Sequence, residues 1–156
     1  MYIRALKSSS HVIAKGAAYT KASGLPESEV LSWRLAPDMN PLIFQIQNIC
    51  TIARNLIIIV LGTPLPPNSN NEKTFAELQA LIERTISLLE KTSREQFEGR
   101  DQASVNVREL GTKKGGLEYV QEFGVPNFFF HVGMVYALFR GHGAPIGKWD
   151  YLRGGS

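Results

Sequence analysis

Leu42, Gln45, Ile49, Ile52, Leu56 and Ile59 follow one another at intervals of three and four residues, and all except Gln45 are apolar. That spacing places the side chains on one face of a helix. A long helix with a single apolar stripe is stable only when the stripe is laid against other elements. The chain supplies three more segments of the same period, so the fold class expected is all-α.

Ile3, Leu6, Ser10, Ile13 and Ala17 predict a first helix over about 3–21, which Gly24 helps to end. Pro26 suits the first turn of a short helix, and Asp38 is a candidate cap for the long one, which then runs to about Leu61. Pro41 falls at the third position of that helix, where a missing amide hydrogen breaks no internal bond. After the turn-forming segment GTPLPPNSNNEK, TFAE at 74–77 is a capping box. Phe75, Leu78, Ile82, Ile86 and Leu89 give the next helix its apolar face, and that helix ends near Thr92. From Gln96 to about Tyr119 the period changes: Ala103, Val105 and Val107 alternate with polar residues before GTKKGG, which predicts a small hairpin or an extended crossover. A last helix is expected from Pro126 to Gly141 and Gly143.

A chain of 156 residues, 44% hydrophobic and 20% charged, suffices for one globular domain over 1–156. Its 17 Lys and Arg are interspersed with 14 Asp and Glu and form no stripe with interleaved aromatics, so nucleic acid is not an expected partner. Cys50 is the only cysteine, which excludes an intramolecular disulfide and a thiolate-cluster metal site within one chain. The run Leu56 to Leu61 falls far short of the ~20 apolar residues that span a bilayer. Arg4, Lys7, His11 and Lys15 interrupt the first twenty residues, unlike a secretory signal. A cytoplasmic protein with no membrane partner is the expectation.

His131 is the polar group set most plainly on an apolar face: it shares helical spacing with Phe128, Met134, Val135 and Leu138. Burial disfavours imidazolium, so a neutral ring able to accept or relay a proton is expected there. Gln45 interrupts the second long helix in the same way, and a buried amide left unpaired costs about 1–3 kcal/mol. Two readings follow. Either His131 and Gln45 bond to each other and tie two helices, or both point into a cavity that buries a small apolar molecule. Asp38 is first a helix cap and second a helper at such a site. Arg34, one turn earlier, is placed to pair with Asp38 or with the C-terminal segment. His11 reads as a solvated surface histidine. In GHGAPIGKWDYL, Trp149, Tyr151 and Leu152 read as a docking tail, and GAPIGK lacks the strand that would precede a phosphate loop.

RLAPDM at 34–39, TFAELQALIERT at 74–85, FEG at 97–99 and VPNFFFHVGMVYALFRGHGAPIGKWDYL at 125–152 resemble domain-of-unknown-function family 1993, of the DinB-like superfamily. The resemblance implies a DinB-like four-helix bundle with a long connection, an internal cavity and a homodimer. It is also similar to proteins in which one histidine of the second helix and two on the last, four apart, hold a divalent metal. Here the second helix offers Gln45, and Val135 stands four residues after His131. His142 lies eleven residues on, about 16 Å along an ideal helix. The residues therefore predict neither a tightly bound metal nor a cofactor.

The leading expectation is an enzyme acting on a small apolar molecule, with cofactor-free isomerisation, cyclisation or elimination centred on His131 and helped by Gln45 and Asp38. Phe128, Met134, Val135, Leu138 and Arg34 are its candidate ligand-binding residues. The alternatives are a non-catalytic small-molecule-binding or structural dimer, and a metal-dependent DinB-like transferase or hydrolase.

Overall fold

The apolar stripes become four long helices whose faces close on a shared core. The computed structural model describes residues 1–107 and 112–154. In chain order the helices are α1 (Tyr2–Ala22), α2 (Glu27–Leu31), α3 (Leu42–Asn55), α4 (Phe75–Glu90), α5 (Gly116–Tyr119), α6 (Val125–Gly141) and α7 (Lys148–Arg153). Two π-helical turns extend them: Leu56–Val60 continues α3, and Val120–Gly124 joins α5 to α6. Strands β1 (Ser104–Val107) and β2 (Thr112–Gly115) pair antiparallel, with Ser104 opposite Gly115.

Among the long helices, α1 and α3 each pack mainly on α4 and α6, so α1 and α3 lie on a diagonal of the bundle, and α7 also packs on α1. Leu6, Ile13, Leu42, Ile46, Ile49, Leu78, Ile82, Phe128 and Phe139 are fully buried between them. Each such side chain stabilises the fold by about 1.5–3 kcal/mol relative to exposure. The 19-residue helix from Leu42 to Val60 is long and apolar enough to cross a membrane. Counting only the unbroken run from Leu56 misses this. Its Leu42, Ile46, Ile49, Cys50 and Ala53 are nevertheless packed inside the bundle, the placement of a core helix.

The capping box at Thr74 forms as expected: the Thr74 hydroxyl accepts from the Glu77 amide at 3.2 Å, and the Glu77 carboxylate accepts from the Thr74 amide at 3.0 Å. Asp38 does not cap α3. It lies in an exposed turn, and the N-cap is Pro41, held extended at φ −71° and ψ 168°. The residue before a proline is disfavoured in the helical region, so Asn40 blocks a helix that would start at Asp38.

The buried stripe of α1 is Tyr2, Leu6, Ser9, Ile13, Gly16 and Thr20, turned away from the predicted Ile3, Ser10 and Ala17. Small residues on this face let α6 approach. A Cβ on Gly16 would stand 2.2 Å from Phe139 Cε1, inside any tolerable contact.

The last helix likewise begins earlier than Pro126, because α5 and the π-helical turn run into it without a break. Of the tail's three predicted docking residues Tyr151 packs on the core, whereas Trp149 and Leu152 stay exposed. Asp150 adds a polar anchor: it accepts from the Gly147 amide at 2.7 Å and meets His11 Nε2 at 2.8 Å and Lys15 Nζ at 3.0 Å. His11 is thus a partner of α7 and not a free surface histidine, while Tyr151 packs edge-on against Tyr136.

Candidate functional site

α3 and α6 lie side by side, and their polar interruptions meet. His131 Nδ1 stands 2.6 Å from Gln45 Oε1. The Gln45 amide nitrogen donates to the Asn40 carbonyl at 2.8 Å, which turns its oxygen toward the ring. Nδ1 therefore carries the proton and donates, leaving Nε2 as an acceptor. Asn48 fills it, with Nδ2 donating at 2.6 Å. Both ring nitrogens of a histidine only 8% exposed are thus satisfied by amides. Burial lowers the His131 pKa from its ordinary value, which favours the neutral tautomer these bonds require.

Asn48 had no part in the sequence reading, although it follows Gln45 by three residues and so shares its helix face. The ring neighbours of His131 are Phe44 and Phe130, with centroids at 6.1 and 5.1 Å. Phe128 instead turns toward α1, edge-on to Tyr2 at 4.6 Å. Val135 and Leu138 are core residues, and Met134 is half-buried. Arg34 and Asp38 are both exposed, and the Arg34 guanidinium donates to the Met39 carbonyl. Among the described residues no hydrogen bond joins either one to His131 or Gln45. The structure brings together His131 and Gln45, adds Asn48, and leaves Asp38 and Arg34 outside.

The residues do not fit a resident divalent metal of the three-histidine kind. Both His131 nitrogens are already engaged, and His142 is stacked flat on Trp33 at 3.7 Å. Among the described residues no group of three or more His, Cys, Asp and Glu is placed to hold an ion. Cys50 is buried, and burial pushes its thiol up to about 12, so it is no nucleophile near neutral pH.

A separate cavity of about 340 Å³ lies where the two π-helical turns face the connection before β1. Tyr2, Leu56, Val60, Phe97, Leu117 and Val120 form its largely apolar wall, and Arg100 and Asp101 supply the charged lining. The π-helix is rare and concentrates at functional sites, and this cavity draws wall residues from two such turns. None of the sequence-predicted site residues lines it.

The family model for Domain of unknown function (DUF1993) matches residues 1–152. A crystal structure of a DinB family member protein from Shewanella denitrificans is similar over 97% of this chain and 86% of its own, with a TM-score of 0.91 and 28% identity. No curated protein matches this chain.

Proposed function

The chain belongs to the family Domain of unknown function (DUF1993), with a DinB-like four-helix bundle, and on that premise we propose that it binds a small apolar molecule in the cavity beside Tyr2. The observation that carries this reading is the cavity itself. About 340 Å³ falls within the range of small-molecule sites, and an apolar wall with few polar groups is their usual make-up. In this reading His131 is a structural tie, since a ring with both nitrogens bonded to amides has no free position for a substrate proton. Titrating the isotope-labelled protein with 1-octanol tests it. Amide resonances of Val60, Leu117 and Val120 should shift with saturation, and Val60→Phe, which fills the space, should abolish the shift. Unmoved resonances up to the solubility of the alcohol would overturn the reading.

A second reading keeps His131 as the acid/base group of an isomerisation, cyclisation or elimination. What favours it is a neutral imidazole whose Nε2 is covered only by half-buried Asn48, next to Phe44 and Phe130, which are 37% and 51% exposed. Asn48 would have to swing off Nε2 for a substrate to reach it. Asn48→Ala should then raise turnover of a candidate substrate, and His131→Gln should remove it. Under the binding reading, neither change alters ligand affinity.

A further inference from the structure

The cavity is charged at one place and open to hydrogen bonding at another, and both features bear on what enters it. Arg100 Nε donates to the Val60 carbonyl at 2.7 Å, so the π-helical turn that ends α3 also anchors the guanidinium. Its backbone is pinned as well. The Leu117 amide donates to the Asp101 carbonyl at 3.0 Å, and a Cβ on Gly116 would lie 2.1 Å from the Arg100 carbonyl oxygen. Only a glycine permits that approach. Among the described residues no carboxylate stands within ion-pair distance of Arg100, and its two terminal nitrogens make no hydrogen bond.

Tyr2 lines the same cavity. It is 7% exposed, its ring is fixed against Phe128, and its hydroxyl makes no hydrogen bond among the described residues. Burial pushes that phenol up to about 12, which keeps it a donor at neutral pH. A fixed guanidinium without a counter-ion and a phenol donor that opens on the cavity without a protein acceptor, both on an apolar wall, call for a ligand that brings the acceptors. The Asp101 carboxylate lines the same cavity and opposes an anion there, but it is exposed, so solvent weakens that repulsion.

We infer that the cavity takes a monocarboxylic acid with an apolar tail, its carboxylate on the terminal nitrogens of Arg100, a further hydrogen bond from the Tyr2 hydroxyl, and its tail against Leu56, Val60, Phe97 and Val120. This deepens the binding reading and rests on it. A guanidinium matches a carboxylate in charge and in planar geometry, and such charge-assisted bonds are about twice as strong as neutral ones.

Calorimetric titration of the full chain with octanoate and with 1-octanol at pH 7.5 tests the inference. Octanoate should bind at least about tenfold more tightly, Arg100→Gln should bring the two affinities together by weakening octanoate alone, and Tyr2→Phe should weaken octanoate about fivefold. Should Arg100→Gln fail to fold, added salt applied to the unaltered protein decides the matter, because screening must erode the octanoate affinity and spare that of octanol. Equal affinities for the two probes overturn the carboxylate inference while the cavity reading stands. If neither probe binds, both fall.

Discussion

Asn48 Nδ2 lies 2.6 Å from His131 Nε2, on the side of the ring opposite Gln45. The imidazole is therefore a bridge between two amides of α3, carried by α6. Removing it leaves a buried acceptor and a half-buried donor unmatched at once. His131→Ala should destabilise the protein by about 2–4 kcal/mol in urea unfolding. His131→Gln should recover at least half, because one amide offers both a donor and an acceptor. If His131→Ala unfolds at the same midpoint as the unaltered chain, the bridge does not hold the helices.

The lowered pKa of His131 also sets a pH dependence. The folded ring binds a proton less readily than the unfolded one, whose pKa is about 6.5. Its contribution is complete above that value, declines as pH falls toward the folded pKa, and is lost below it. Urea midpoints at pH 7.5, 6.5 and 5.5 should fall more steeply for the unaltered protein than for His131→Gln. His11 and His142 are common to both chains, so identical slopes would remove His131 as the cause.

Ser9 faces the core from α1 at 3% exposure, and its hydroxyl has no hydrogen-bond partner among the described residues. Ser9→Ala deletes that unmatched group without adding volume. The change should stabilise the bundle by about 1 kcal/mol, read as a higher urea midpoint with an unchanged slope.

Asp150 holds α7 to α1 through one carboxylate. The Gly147 amide, then His11 and Lys15, keep its pKa well below the usual range. Its stabilising contribution is thus complete above the unfolded carboxylate pKa of about 3.9 and is lost only as pH falls through the lower folded value. Asp150→Asn should speed amide exchange across 148–153 while altering global stability by less than about 1 kcal/mol, since the pairs are near the surface. Unchanged exchange in α7 would place its anchoring elsewhere, with Tyr151.

Long helices with dense apolar stripes were legible in the sequence, as α3 and α4 demonstrate, because burial there follows directly from residue type. The meeting of His131 and Gln45 was legible for the converse reason: each is a polar exception on such a stripe. The phase of α1 was not. Its buried face carries Ser9, Gly16 and Thr20, residues that hydrophobicity does not mark, and Gly16 is required by the close approach of Phe139. Asn48 is not legible in the sequence, because an amide beside polar residues looks solvated until the facing helix is known. The cavity depends on two π-helical turns and on the path of the Arg100 loop, which no period in the residues encodes.

The contact between His11 and Asp150 joins residues 139 positions apart, and Phe139 seats on Gly16 of the same first helix. During synthesis α1 emerges long before either partner exists, at ribosomal rates of about 5–20 residues per second. Its inward face stays uncovered for on the order of ten seconds. A nascent face built of Leu and Ile throughout would invite association with neighbouring chains in that interval. Ser9, Gly16 and Thr20 dilute it, so the glycine that admits Phe139 in the finished bundle also reduces the apolar surface that the waiting helix presents.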